Sequence, residues 1–239
     1  MDRPRIVLLN AAHDPGPTRR NFRRELDADF VEFHAVEGQL PPAPAEMDAD
    51  GVVVTGSRSS AYWDEDWIDP AKRWVADAVD AGLPHLGVCF GHQLLADVLG
   101  GEVADMGEYE LGYRTVRHHG GRLFDGIEEE FLAFATHSDA VTELPPGAEL
   151  IAENDYGVHG FRKDPAFAVQ FHPEYDLETA ARVTRGKDLP DERIEAVLDG
   201  ITEANYRRAV EAKQVFGNFL DYVREHRDER PADRVAREG

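Results

Sequence analysis

The sequence has little cysteine, little lysine and no long apolar run. Of 239 residues, one is cysteine (Cys89) and four are lysine. A lone cysteine excludes an internal disulfide and fits a reducing, cytoplasmic setting. No stretch reaches the roughly 18 apolar residues of a membrane-spanning helix. Met1-Asp2-Arg3-Pro4-Arg5 leads straight into Ile6-Val7-Leu8-Leu9, a run too short for a signal peptide, which reads as a first strand. The shortage of lysine accompanies an excess of acid: 47 Asp and Glu against 26 Lys and Arg give a net charge of −21. Such a surface repels nucleic acid and anionic membranes, so neither is expected as a partner. It is either a solvated surface tuned for solubility or an adaptation to high salt, where screening removes the self-repulsion. The lysine-poor, acid-rich balance predicts a halophilic protein and says nothing about a reaction.

A hydrophobic content of 42% is enough for a core, and the length suits one large domain or one domain with an appendage. Strands are expected at Ile6–Leu9, Phe30–Val36, Gly51–Val54 and Leu86–Val88. Between them, helices are expected from a Thr18 cap to about Leu26 and from Asp69 to Ala81, with Pro15-Gly16-Pro17 read as a loop. His92–Leu99 reads as a short helix stopped by Gly100-Gly101. After Gly101 the texture becomes strand-rich. Leu111–Val116 and Phe131–Ala135 are the clearest segments, with turns at Gly120-Gly121 and Asp125-Gly126. Further strands follow at Glu149–Ala152, Gly157–Arg162 and Ala166–Phe171. Helices are expected over Pro190–Ile201 and Glu203–Arg224, the second with Phe216, Phe219, Leu220 and Val223 as an apolar stripe. The charged residues after that are expected to fray. The fold class is therefore α/β: a mainly parallel sheet flanked by helices on both faces, with added antiparallel strands.

The chemistry centres on Gly87-Val88-Cys89-Phe90-Gly91, an apolar strand, a sharp turn and a helix. This is the G-x-nucleophile-x-G elbow with cysteine as the nucleophile. The turn lifts the thiol above the sheet edge, at a helix N-terminus whose dipole favours thiolate. A lone cysteine is more often a buried structural residue, but glycines on both sides of a strand-to-helix turn point to a nucleophile. A thiol needs a base, and Phe171-His172-Pro173-Glu174 offers one at the end of a strand. Pro173 biases His172 toward an extended conformation. Residues two apart in an extended segment point the same way, so Glu174 can orient the His172 imidazole. The remaining histidines, His118, His119 and His137 among them, show no metal-ligand spacing. No metal and no cofactor is expected. The small-residue loop Thr55-Gly56-Ser57-Arg58-Ser59-Ser60 follows a buried strand, at the sheet edge where α/β folds bind ligands.

Taken together, Gly87-Val88-Cys89-Phe90-Gly91-His92-Gln93 and Phe171-His172-Pro173-Glu174, with 83 residues from Cys89 to His172, resemble the class I (triad) glutamine amidotransferases. The resemblance covers about residues 5 to 180. It implies a flavodoxin-like α/β fold that hydrolyses the side-chain amide of glutamine through a γ-glutamyl thioester and passes ammonia to a synthetase. It implies Cys89 as nucleophile, His172 as base and acid, and Glu174 as orienting carboxylate. Thr55-Gly56-Ser57 matches the family's oxyanion strand, which usually carries two glycines there. Ser57 replaces the second, and its backbone N–H remains. The second donor implied is the N–H of Phe90. Gln93 matches a residue that contacts substrate glutamine. Thr136-His137-Ser138-Asp139-Ala140-Val141 is similar to a segment lining the glutamine pocket in the GMP synthase group, which implies Ser138 and Asp139 as substrate contacts.

Two departures stand out: no synthetase domain follows in this sequence, and about 65 residues after Glu174 carry helical patterning. With Tyr62-Trp63-Asp64-Glu65-Asp66-Trp67-Ile68, this looks more like the stand-alone GMP synthase-like amidotransferases. The expected organisation is an amidotransferase domain over 1–184, a helical extension packed on it over 185–226, and a charged, disordered tail over 227–239. The expected partners are glutamine or a γ-glutamyl compound, and a separate synthetase subunit. Rival readings are a γ-glutamyl peptide hydrolase with the same triad, a non-enzymatic cysteine-bearing α/β binding module, and a cysteine peptidase of similar fold. In the peptidase, the base would be expected nearer the elbow.

Overall fold

The structure is a computed structural model, and residues 3–229 are described. It opens with β1 (Arg5–Asn10), α1 (Pro15–Glu25) and β2 (Asp29–His34), then β3 (Gly51–Val54), α2 (Ile68–Asp80), β4 (His85–Val88) and α3 (Phe90–Val98). Two long strands follow, β5 (Glu102–His118) and β6 (Glu130–Glu143), then β7 (Glu149–Asn154), β8 (Gly157–Lys163) and β9 (Ala166–Val169). Helices α4 (Leu177–Arg185), α5 (Asp191–Gly200), α6 (Glu203–Ala209) and α7 (Gln214–Glu229) complete the described chain.

The nine strands of the described residues form one sheet in the order β2-β1-β3-β4-β9-β8-β7-β5-β6. The first five in that order are parallel neighbours, and the other joins are antiparallel. The parallel strands in chain order run 2-1-3-4-5, the flavodoxin-like winding, with β9 as the fifth. The expected architecture is present: a large, mostly parallel central sheet, with helices on both faces and antiparallel strands added at one side.

The short strands are continuous apolar runs because both their faces are covered. On one face Ile6, Leu8, Val53, Leu86 and Val88 pack with Phe22 of α1 and with Val215, Phe216, Phe219 and Leu220 of α7. On the other, Val7, Leu9, Val52 and Val54 pack with Trp74 and Val75 of α2 and Leu94 and Leu95 of α3. A third cluster seats Ala180 of α4 and Ile194 and Val197 of α5 against Leu111 and Phe134 of the two long strands.

Several expected boundaries move. α1 begins at Pro15 rather than after Thr18, because a proline in the first turn lacks only an N–H that the helix leaves unpaired anyway. β9 ends at Val169, short of Phe171. α4 is not among the expected helices. Its N-cap, Asp176, accepts the Thr179 N–H at 2.8 Å, a capping signature legible in the sequence. The single helix expected over Glu203–Arg224 is two, α6 and α7, joined by a 3-10 turn at Val210–Lys213. No proline or glycine marks that break. α7 runs through Glu229, so 227–229 are helical and not part of a disordered tail. The rest of the expected tail, 230–239, lies outside the described residues. No helix among the described residues is long and apolar enough to cross a membrane.

Candidate active site

The turn between β4 and α3 places Cys89. Its backbone has φ 54° and ψ −103°, the one positive φ outside glycine among the described residues. That conformation is disfavoured for a residue with a Cβ, and a strained strand-to-helix turn is what a nucleophile elbow would require. The Cys89 N–H donates to the Val169 carbonyl of β9 at 2.9 Å. The flanking glycines are required by close approach rather than by φ. A Cβ on Gly87 would lie 2.3 Å from the Gly91 carbonyl oxygen, and one on Gly91 would lie 2.3 Å from the carbonyl oxygen of Val54. The elbow is thus wedged between its own helix and β3.

Just past the end of β9, beside β4, the chain delivers His172 to the same sheet edge. Its N–H donates to the Phe134 carbonyl of β6 at 2.8 Å, which pins the main chain. Nδ1–H donates to Glu174 Oε1 at 2.8 Å, and the ring stacks on Tyr175 at 4.1 Å between centroids. Arg24 of α1 donates to the Glu174 carbonyl oxygen at 2.7 Å and so fixes the acid's main chain. His172 and Glu174 are both buried. Burial alone would strip the proton from His172. The negative charge of Glu174 and the neighbouring Cys89, with the hydrogen bond to Glu174, outweigh it and push the ring up to about 10. Nε2 makes no hydrogen bond of standard geometry, although Cys89 lies close enough to polarise the ring. Such contacts tighten when substrate arrives. A Cβ on Gly56 would lie 2.9 Å from His172 Cε1 and 3.6 Å from Cys89 Cβ, so three segments distant in sequence converge here.

These groups open into a cavity of about 330 Å³. Gly56, Ser57, Phe90, Gln93, Ser138 and Asp139, all expected at a site, line it together with Cys89, His172 and Glu174. Phe90 is the first residue of α3, where helical N–H groups lack partners within the helix. Two expected substrate contacts are engaged with the protein. Gln93 Nε2 donates to the Asp139 carbonyl oxygen and to Gln170 Oε1, each at 3.1 Å. The Asp139 carboxylate accepts from Ser60 Oγ and, at 2.9 Å, from Tyr62 OH, tying β6 to the loop after β3.

Sequence reasoning missed the far wall: Tyr109, Tyr175, Arg182 and Lys187 also line the cavity. Lys187 sits over the Tyr109 ring at 4.8 Å and donates to its hydroxyl. Recognising α4 from its Asp176 cap would have brought Arg182 to the site. It also missed a buried cluster that reaches the wall at His137. There the ligand atoms of Glu110, His137 and His159 lie within 4.8 Å of one another. Linear spacing hid this, because the three residues sit on β5, β6 and β8.

The family model for class-I glutamine amidotransferases matches residues 19–185. A GMP synthase [glutamine-hydrolyzing] of Staphylococcus aureus is 32% identical over 158 residues, 64% of this chain and 29% of the relative. The chain therefore spans about three tenths of that relative's length. Among solved structures, a glutamine amidotransferase from Thermotoga maritima superposes with a TM-score of 0.77 at 22% identity, covering 92% of this chain and 100% of the other. A glutamine amidotransferase from Methylobacillus flagellatus gives 0.74 at 22% identity, covering 93% and 96%. These two likenesses speak to the fold.

Proposed function

The chain belongs to the class-I glutamine amidotransferase family, and from that premise we propose that it hydrolyses the side-chain amide of glutamine through Cys89, His172 and Glu174. The observation that carries this reading is the buried His172, hydrogen-bonded to Glu174 on one side and polarised by the elbow cysteine on the other. The Cys89 thiolate adds to the amide carbon, and the oxyanion is held by backbone N–H groups at Gly56-Ser57 and Phe90. His172 gives its proton to the leaving nitrogen, the C–N bond breaks, and ammonia departs from a γ-glutamyl thioester. Neutral His172 then takes a proton from water, whose oxygen attacks the thioester. The C–S bond breaks, glutamate leaves, and the thiolate–imidazolium pair is restored. Gln93, Ser138 and Asp139 form the wall against which the substrate seats. The similarity to a GMP synthase supports a synthetase as acceptor of the ammonia.

In this reading residues 1–184 carry the catalytic machinery, and the wall beyond, at Gly186, Lys187 and Asp188, comes from the segment that follows. The cavity of about 330 Å³ is lined from Cys89 to that wall, which favours a γ-glutamyl compound with a larger leaving amine as the second reading. Offering glutamine and γ-glutamyl dipeptides side by side, in high salt, distinguishes the two. Ammonia from glutamine supports the amidotransferase, and preference for dipeptides supports the hydrolase. The triad reading fails if neither is turned over and a glutamine-like electrophile leaves Cys89 unlabelled.

A further inference from the structure

Behind the cavity wall, Glu110 of β5 faces His137 of β6 directly across the antiparallel register. The two are 0% and 6% exposed, and His159 of β8 is 1% exposed. Glu110 Oε2 lies 2.6 Å from His137 Nε2 and 2.9 Å from His159 Nε2. Glu110 Oε1 accepts from Asn154 of β7 at 2.7 Å, and Arg114 Nε stands 4.0 Å from it.

The protons in this cluster can be counted. A backbone carbonyl only accepts, so His137 Nδ1, 2.8 Å from the Asp139 oxygen, carries a proton. Burial would favour a neutral Glu110, but hydrogen bonds from His137 and His159 outweigh it and hold it as a carboxylate, well below its usual range. An ionised carboxylate also only accepts, so His137 Nε2 carries a proton as well. A ring that donates from both nitrogens is an imidazolium. His159 is the opposite case. Burial, the largest influence on it, favours the neutral ring, its Nε2–H serves Glu110, and its bare Nδ1 has no partner. His92 of α3, the other histidine near this cluster, is pushed down to about 3 by burial and by His159, so it is neutral too. The Glu110, His137 and His159 side chains then hold one negative and one positive charge.

We propose that Glu110 is a positioning residue: it keeps His137 as a buried imidazolium, whose Nδ1–H fixes the Asp139 carbonyl and with it the pocket wall. That same carbonyl accepts Gln93 Nε2, and the Asp139 carboxylate anchors Ser60 and Tyr62, so the order imposed by Glu110 reaches the loop carrying Ser57. The inference rests on the cavity being the substrate pocket, but its test needs no turnover. A metal ion is the rival occupant of this cluster. Ligand atoms about 2.0–2.1 Å from a tetrahedral zinc stand more than about 3 Å apart, whereas 2.6 Å between His137 and Glu110 is a hydrogen-bond distance.

The experiment is nitrogen NMR of histidine-labelled full-length protein at neutral pH, with His137 assigned by its loss in His137→Gln. Wild type should show both His137 nitrogens protonated. Glu110→Gln should convert His137 to a neutral ring protonated at Nδ1 and shift the Ser138 and Asp139 amide signals, while leaving the His172 ring signals in place. A neutral His137 in wild type overturns the proposal, as does an imidazolium that persists in Glu110→Gln, or stoichiometric zinc found by elemental analysis. The wild-type spectrum and the zinc analysis decide the matter even if Glu110→Gln does not fold. A protein that shows the imidazolium yet hydrolyses nothing leaves this pair standing and sinks only the catalytic reading.

Discussion

Replacing Gly56 with alanine tests how tightly the proposed base is held. Gly56 has no positive φ, so alanine adds no backbone strain, and the effect is purely steric. The new methyl would stand 2.9 Å from His172 Cε1. Ordinary carbon contacts fall at about 3.5–4.0 Å, so the ring must retreat by roughly 0.6–1 Å. It has little freedom to do so. Nδ1 is bound to Glu174, the ring face rests on Tyr175, and the main chain is pinned to Phe134. A misplacement of about 1 Å at a reacting group costs on the order of 100-fold in rate, or about 2.7 kcal/mol of barrier. Overpacking of this kind costs about 1–3 kcal/mol of stability, so the variant should fold. The assay pairs kcat for ammonia release with the rate of Cys89 alkylation, alongside a urea midpoint. A folded Gly56→Ala protein with kcat within a factor of about two of wild type would refute the claim that the ring position is critical.

Cys89→Ala should abolish turnover while leaving the fold intact. Because Cys89 sits at φ 54°, Cys89→Gly should be more stable than Cys89→Ala by roughly 1 kcal/mol, read from denaturant midpoints; equal midpoints would deny strain at the elbow. His172 rises from an ordinary 6.5 to about 10 on folding, so the stability it contributes is complete below pH 6.5 and is lost as pH rises through about 10. Unfolding free energy should fall over that window in wild type and stay flatter there in His172→Gln; matching curves would show that His172 is not charged in the folded state. For a chain of net charge −21, self-repulsion acts over a Debye length of roughly 30 Å at 0.01 M salt and roughly 3 Å at 1 M. The melting temperature should therefore climb steeply with KCl, and a flat profile would defeat the halophile reading alone.

What the sequence revealed divides along a physical line. Ile6–Leu9, Gly51–Val54 and Leu86–Val88 are legible because strands buried on both faces are short, unbroken apolar runs between turn residues. The elbow is legible because its two glycines flank a strand-to-helix turn, although Gly91 answers to the distant Val54 carbonyl and only Gly87 to the elbow's own helix. His172 and Glu174 can be paired from their closeness in sequence, but the extended segment expected there is a turn at Pro173-Glu174, where the Tyr175 N–H donates to the His172 carbonyl at 3.4 Å. What stayed hidden is what only three-dimensional closure creates. Arg182 and Lys187 come from α4 and the residues just after it, a helix announced by its Asp176 cap but brought to the cavity only by the fold. Glu110, His137 and His159 meet because β5 slips register between Asp105 and Glu110, and no spacing in the chain reports a slip. The break between α6 and α7 carries no proline or glycine, so Glu203 to Arg224 read as one helix, although the apolar stripe from Phe216 to Val223 lies wholly in α7.

The position of β9 has a consequence in time. Among the described residues it is the last strand to be synthesised, yet it lies in the middle of the sheet, between β4 and β8. A growing chain that has completed the elbow therefore exposes β4 as an open edge, an invitation to mispairing, until some 80 further residues have emerged. The same event that closes this edge carries His172 to Cys89. The thiol thus meets its proposed activating partner only when the sheet is whole, and a partly made chain carries an elbow without a base. Because this pairing spans so much sequence, its closure belongs to the slow, non-local phase of folding. An incomplete or unfolded chain is in this way silenced by its own topology.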